Sequence, residues 1–475
     1  MADGLCSASI RMHVVFATLW SREVSAMGLL YLAGALRRAG HTVALVQARD
    51  AREAVDAVRR ERPRVVGLSA TTGLHRVYLA WARAIRAAQP DVTLVLGGPH
   101  ATFFPETLER EAALDALCVG EGEESLVEWL AALEAGEPRA VPGFRRRVDG
   151  RVLDGGLRPP PRDVDALAPP ARDLYFAGNR RLARFPVKAF LASRGCPYRC
   201  TYCFNRSLND MYRGTGKPVR WREPGALCDE IDAVRRRWPL ELVWILDANF
   251  AVSRAWLEKL APVYRARVGL PFFCKVRPNL VDADLAAVLG EMGCVGVGMG
   301  IESGDDELRN DVLERGISRA QIVESCRLLR ARGIRVMSFN MLGLPGETYE
   351  LAKKTLDLNV ECAVDYAAAT ILQPYPRTEI ARRSVLAGDF DGDFDGLGRD
   401  YYSSTPLRSI AHGDRARILN LQRLFGLAVE FPEVRRRIDW LTGRKSPRLY
   451  TEAFKLWHRH CFNSRFYEAR GRATA

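Results

Sequence analysis

Cys196, Cys200 and Cys203 fall within the stretch LASRGCPYRCTYCFN (191–205), at C-x3-C-x2-C spacing and with no fourth cysteine beside them. Thiolates this close together are metal ligands by type, but a structural zinc site takes four ligands. Histidine does not supply the fourth, because none lies between His100 and His412. Three thiolates suit a [4Fe–4S] cluster in which the protein holds three irons and the fourth stays open for an exchangeable ligand. The gap is then the working feature, as it is in a catalytic zinc site. Cys228, Cys274, Cys294, Cys326 and Cys362 stand singly and are expected to be small buried apolar residues.

Something must position those thiols. The chain has 475 residues, enough for two or three domains, and is 48% hydrophobic, enough for real cores. From 12 to 135, short apolar runs alternate with amphipathic stretches: MHVVFAT, TVALVQA, RVVGLSA, VTLVLGGPH (92–100) and ALCVGEGE (116–123) read as strands. The pattern predicts a doubly wound, Rossmann-like parallel sheet, whose ligands bind beyond the carboxyl ends of the strands. Those ends carry Ser69 and Thr71, Gly97 and Gly98, and Gly120 and Gly122, small residues that let a bulky ligand approach the backbone. Residues 136–186 are rich in proline and arginine and read as a connecting segment. From VKAFLAS (187–193) a second alternation gives six βα units, which predicts a partial (β/α)6 barrel with its chemistry at the carboxyl ends of the strands. The last ~95 residues abandon the alternation and read as helical. The expected fold class is thus α/β, with domains at 10–136, 187–380 and 381–475 and a linker at 137–186.

With the cysteines following the first strand of such a barrel and Tyr202 just before the third, the chain resembles the radical S-adenosylmethionine (SAM) enzymes. In that family the amino and carboxylate groups of SAM chelate the open iron, and an electron from the cluster cleaves the sulfonium. The resemblance covers 187–380. It implies that GMGIESG (298–304) places Glu302 and Ser303 near the ribose and amino-acid part of SAM. Asp247 and Asn249, in ILDANF, would accept from the SAM ammonium, although the family's GGE form is absent. Arg277, in KVRPN, would pair with the SAM carboxylate through its forked donors, and NMLGLPGET (340–348) resembles the segment that turns above the site at Gly343, Pro345 and Gly346. The front domain resembles the cobalamin-binding domain of the cobalamin-dependent radical SAM enzymes, on MGLLYLAGALRRAGH, VVGLSATT, LVLGGPHAT and VGEGEESL. That resemblance implies cobalamin at Ser69, Thr71, Gly97, Gly98, Gly120 and Gly122. The D-x-H-x-x-G motif that supplies a lower histidine ligand in many cobalamin domains is missing, since residues 17–28 read ATLWSREVSAMG. His100 follows a strand end and is expected to be a satisfied surface or loop histidine.

The resemblance implies methyl transfer from SAM, by way of cobalamin, to an unactivated carbon of a small molecule. The alternatives are a cyclase or oxidoreductase of the anaerobic tetrapyrrole type, or a radical SAM enzyme whose front domain no longer binds cobalamin. An external donor such as a flavodoxin or ferredoxin would supply the electron. The net charge of +13 comes mostly from scattered arginine, without a dense basic block, so nucleic acid is not expected. No apolar run reaches 18 residues, which predicts no membrane span, and the start lacks a signal-peptide layout, which predicts a cytoplasmic protein. DFDGDFDGLG (389–398) is expected to be a solvated acidic loop, and RDYYSSTPLRS (399–409) a lid near the substrate.

Overall fold

The structure, a computed structural model, describes residues 11–20, 26–402, 404–410, 412–445 and 447–462. Residues 21–25 of the histidine-free loop, Ser403 of the expected lid and the end of the helical extension lie outside the described residues. The chain divides into two compact units, Met1–Arg184 and Phe185–Ala475.

In the first unit β1 (His13–Leu19), β2 (Thr42–Ala48), β3 (Val65–Ser69), β4 (Thr93–Gly97) and β5 (Ala116–Cys118) pair in parallel in the order β2-β1-β3-β4-β5. The order reverses between β1 and β3, which places the ligand crevice at their carboxyl ends. Both faces are buried, as a parallel sheet requires. Val15, Ala17, Val66 and Leu68 pack on one side, and Val14, Phe16, Val65 and Val95 on the other. The fourth strand is shorter than the apolar run suggested. Gly98 turns the chain at φ +85°, and Pro99, which needs no amide partner at a helix start, opens the helix Gly98–Phe103.

The expected linker does more than connect. Its residues form β6 (Phe144–Val148) and β7 (Arg151–Asp154), which extend the same sheet antiparallel beyond β5. Asp149 and Gly150, at φ +48° and +77°, make a two-residue hairpin turn between them. An Asp-Gly pair between short runs is itself a hairpin signal, which the arginine-rich composition concealed.

In the second unit β8 (Val187–Phe190) is followed by a two-stranded ribbon of β9 (Ser193–Gly195) and β10 (Val219–Trp221). Then come β11 (Leu242–Ile245), β12 (Phe272–Val276), β13 (Cys294–Glu302), β14 (Arg335–Leu342) and β15 (Tyr366–Ile371). The order β8-β11-β12-β13-β14-β15 is parallel throughout, the six-stranded half-barrel that the alternation predicted. The helices start where polar caps allow: Asp282 accepts from Leu285 N, and Ser318 with Gln321 forms a capping box.

All five single cysteines are buried in the core on the helical side of the sheet. On the opposite face Trp244, Phe273, Met337 and Tyr366 pack with Phe454 and Trp457 of the C-terminal helix Pro447–Phe462. The Trp457 and Tyr366 rings stack at 4.8 Å, so the helical extension closes the sheet's inner face. The acidic stretch 389–398 is only partly solvated. Phe390 and Leu397 are buried in an apolar cluster, and Asp389 accepts from Ser409 Oγ at 3.0 Å. The 399–409 segment is tied to β15, with Ile371 N donating to Tyr401 O at 2.6 Å. Among the described residues no helix is long and apolar enough to cross a membrane.

Candidate functional site

The cysteine loop leaves β8 because its backbone is drawn elsewhere. Asp247, at the end of β11, accepts from Ala192 N at 2.8 Å and from Ser193 Oγ at 2.5 Å. Gly195 sits at φ +95° with Pro218 O 2.0 Å from where a Cβ would stand, so no other residue fits there. The loop is then pinned from the far side. Thr201 Oγ1 donates to Val312 O at 2.8 Å, Asn209 Nδ2 donates to Cys196 O at 2.8 Å, and Arg206 pairs with Glu314 at 2.6 Å.

Cys196, Cys200 and Cys203 line one cavity, together with Tyr198, Tyr202, Asn249, Lys275, Arg277, Gly298, Gly300, Glu302, Arg315 and Phe339. Two guanidinium groups serve Cys200. Arg277 Nη1 donates to its Sγ at 3.3 Å, and Arg315 Nη1 lies 3.8 Å from it. Arg277 is held for this by Asn279 Oδ1 at 2.8 Å, by Arg315 O, and by the Tyr198 ring 3.9 Å away. Asn205 Nδ2 stands 3.5 Å from Cys203 Sγ. Burial pushes the Cys196 and Cys203 thiols above the ordinary range, so their ionisation calls for a cationic partner.

Glu302 closes the cavity's other side. It sits at φ +66°, unusual for a side-chain-bearing residue, where β13 slips register against β14. Tyr202 OH donates to Glu302 Oε1 at 2.9 Å, and Arg315 Nη1 donates to Tyr202 OH at 2.9 Å. Burial raises the Glu302 carboxyl and the Tyr202 phenol above their usual ranges, with Arg315 opposing both shifts. Burial works against the Arg315 charge, yet Tyr202 and Glu302 hold its pKa above normal.

Of the residues expected at SAM, Tyr202, Asn249, Arg277 and Glu302 line the cavity, whereas Asp247 and Ser303 do not. The Asp247 oxygens are spent on the cysteine loop, and burial raises its carboxyl to about 6. Ser303 is fully buried behind Glu302, where its Oγ accepts from Asp305 N at 3.2 Å. Asn249 is 4% exposed, and neither its Oδ1 nor its Nδ2 has a partner. Such an amide is costly to bury unless a ligand completes it. The glycines and proline expected above the site form a turn whose amides are collected by Glu347. Its Oε2 accepts from Gly343 N at 2.5 Å and Leu344 N at 3.2 Å, while burial raises the carboxyl to about 8.

Sequence reasoning missed Lys275, Arg315 and Glu347. Arg315 lies 113 residues from Tyr202 in a stretch, ERGIS, with no motif-like spacing to mark it. Lys275 stood in the quoted KVRPN stretch, but only its neighbour two residues on was singled out.

The donor set fits an iron–sulfur cluster. Three thiols face one cavity, and among the described residues no three His, Cys, Asp or Glu groups are placed to hold a single ion. Cluster binding needs one thiolate per iron rather than convergence on a point.

At the strand ends of the first unit the polar groups satisfy one another. Gly120 N donates to Thr102 Oγ1 at 3.1 Å, and Thr102 Oγ1 donates to Gly98 O at 3.0 Å. A Cβ on Gly98 would stand 2.7 Å from Ser69 Oγ and 2.9 Å from Ala70 O, so the glycine is required by the protein's own loop. Gly122 is buried against Cys118 and Leu32, whereas Ser69, Thr71, Gly97, Gly98 and Gly120 keep some exposure. His100 is fully buried and stacks on His75 at 4.0 Å. Its Nδ1 meets Thr72 Oγ1 and its Nε2 meets Thr107 Oγ1, each at 3.0 Å, and burial with His75 nearby lowers its pKa to about 3. That imidazole is neutral and committed at both nitrogens; it is satisfied as expected, but inside the helix Gly98–Phe103 and fully buried rather than in a surface loop. The small, partly exposed ends of β3, β4 and β5 suit a planar ligand laid over backbone.

Comparison with known proteins agrees with both halves. The sequence model of the radical SAM superfamily matches residues 190–358, and that of the B12 binding domain matches residues 13–130. An uncharacterized methyltransferase of Pyrococcus horikoshii is 27% identical over 84% of this chain and 86% of its own. The anaerobic magnesium-protoporphyrin IX monomethyl ester cyclase of Rubrivivax gelatinosus is 26% identical over 92% of this chain and 79% of its own. In fold, the chain is similar to the radical S-adenosylmethionine methyltransferase TsrM from Kitasatospora setae, solved with cobalamin and a [4Fe–4S] cluster bound. The TM-score is 0.63 at 20% identity, over 79% of this chain and 76% of that one.

Proposed function

The chain belongs to the radical SAM enzymes that carry an N-terminal B12-binding domain, and from that premise we propose that it is a cobalamin-dependent methyltransferase acting on a carbon of a small molecule. The observation that carries the reading is the cavity in which three cysteines meet an unpartnered Asn249 and the Tyr202–Glu302–Arg315 network. The bound groups would supply the hard chemistry, the cluster an electron to split SAM and cobalamin a carrier for the methyl group.

The chain's own residues bind and orient. Cys196, Cys200 and Cys203 hold the irons, and Arg277 donates to the Cys200 sulfur. Asn249 Oδ1 accepts from the SAM ammonium, and the Tyr202–Glu302–Arg315 network holds the remainder of SAM. Asp247 and Ser303 act from behind, by fixing the cysteine loop and the Glu302 turn. The aromatic layer of Trp244, Phe273, Tyr366 and Trp457 keeps water from the inner face. An external low-potential electron donor completes the requirement. At the first unit's strand ends Ser69, Thr71, Gly97, Gly98 and Gly120 would lie under cobalamin, with Gly122 packing from beneath.

The Pyrococcus relative's name favours methyl transfer, and the Rubrivivax relative keeps ring formation as the second reading. Product mass separates them, since methylation adds a methylene and ring closure does not. The anaerobically reconstituted protein, given SAM and a reductant, should form 5′-deoxyadenosine; failure to do so removes the reading. Because both nitrogens of His100 are committed, it should supply no nitrogen ligand to cobalamin, so His100→Ala should leave the paramagnetic resonance spectrum of bound cob(II)alamin unchanged. Loss of a nitrogen superhyperfine splitting in that variant would assign His100 as a ligand instead.

A further inference from the structure

Three cations line the cavity, and two of them are committed. Arg277 is shared among Asn279, Cys200 and Arg315 O, and Arg315 among Glu302, Tyr202 and Gly300 O. Among the described residues the Lys275 ammonium makes no hydrogen bond and no ion pair. Asp247 attracts it electrostatically, but the two Asp247 oxygens accept from Ala192 N and Ser193 Oγ. The Lys275 side chain is half-buried in this cavity, and an ammonium there with no hydrogen bond or close ion pair of its own is free to be completed by a ligand.

It enters the cavity it shares with the cysteines from a deeper level of the half-barrel than Arg277. Along β12 Phe273, Lys275 and Arg277 alternate onto one face. Phe273 belongs to the aromatic layer, and Arg277 reaches Cys200. The backbone of Lys275 therefore lies one strand step, about 6–7 Å, from that of Arg277 toward that layer. Its register partner is Gly298, and the absence of a side chain there is what admits it. A Cβ on Gly298 would stand 3.1 Å from Lys275 Cγ and 2.7 Å from the Phe339 ring. Beside it, Phe250 N donates to Lys275 O at 2.8 Å, which sets the end of β12 next to Asn249. With Asn249 Oδ1 given to SAM, its Nδ2 donor is still free.

Resting on the functional reading above, we propose that Lys275, with Asn249 Nδ2, is the subsite for an oxyanion of the substrate, so that this enzyme acts on a small acid bearing a carboxylate or a phosphoryl or phosphonyl group. The SAM carboxylate is assigned instead to the two guanidinium groups, and the Lys275→Met measurement below separates the two anions.

The chain has only eight lysines, so reductive methylation with formaldehyde can be followed residue by residue by peptide mass spectrometry. The measurement uses the reconstituted protein with SAM bound, with and without millimolar acetate or inorganic phosphate. At least one anion should slow methylation of Lys275 fivefold or more while the other lysines keep their rates. Protection by acetate alone points to a carboxylate substrate, and protection by phosphate alone to a phosphorylated or phosphonylated one. If neither anion protects Lys275, the subsite is refuted. In parallel, Lys275→Met should bind SAM within twofold of the unmodified chain in equilibrium dialysis. A tenfold loss would assign the ammonium to SAM and overturn the proposal. The functional reading fails separately, if the unmodified chain binds SAM but yields no 5′-deoxyadenosine.

Discussion

The strand ends of the first unit and the cavity of the second are built on opposite principles. In the first unit the polar groups are turned on each other: His100 on Thr72 and Thr107, and Gly120 on Thr102. In the second, Asn249 has neither amide atom partnered, the Lys275 ammonium makes no hydrogen bond or ion pair, and Glu302 is held at a strained φ. A self-satisfied rim keeps its shape without a ligand and offers it surface and backbone. An unsatisfied cavity stores a cost that a ligand relieves, which marks where tight polar recognition and chemistry reside.

The most severe test of that contrast is Cys200→Ala. It should leave the front unit's fold intact, reduce iron content sharply and cut 5′-deoxyadenosine formation at least a hundredfold, with Cys326→Ala as the unaffected control. Retained cleavage at the unmodified rate would sink the cluster assignment. Next, His100→Ala should cost about 2–4 kcal/mol of stability in chemical denaturation, because it orphans the Thr72 hydroxyl and removes a stacked ring. An unchanged midpoint would mean that the rim is not self-supporting. Asn249→Ala should do the reverse, leaving the midpoint nearly unmoved while weakening SAM about tenfold in equilibrium dialysis. A loss of stability without a loss of affinity would place Asn249 with the rim.

The smallest effect concerns Glu347. Its folded carboxyl is raised to about 8 from 4.5 by burial, so the folded state resists ionisation that the unfolded chain undergoes freely. Its contribution is fully present below about pH 4.5 and is lost as pH rises toward 8. The stability of Glu347→Gln relative to the unmodified chain should therefore increase between pH 5 and 8, by at most a few kcal/mol. A flat difference across that range would show the carboxyl to be ionised in the fold.

Local signals were legible in the sequence. The cysteine spacing, the six βα units, the doubly wound front sheet and the buried single cysteines all follow from residues close together in the chain, where period and spacing speak directly. The Asp149-Gly150 hairpin was equally local but was concealed by arginine-rich surroundings. Tyr202, Asn249, Arg277 and Glu302 reached the cavity because strand ends in a parallel half-barrel converge by construction.

What tertiary structure alone decided is which polar groups find partners. Asp247 was placed at the right strand end, yet its oxygens went to the cysteine loop 55 residues away. Arg315 entered the site from 113 residues beyond Tyr202. Lys275 is left without an ion pair while the Asp247 oxygens are engaged by the cysteine loop. The sequence by itself determined the kinds of ligand this chain can hold, since thiols at that spacing and strands in that order leave few alternatives. Pairing, and therefore charge, desolvation and the vacancy left for a substrate, depends on distances between residues far apart in the chain, and those exist only once the sheet has closed around them.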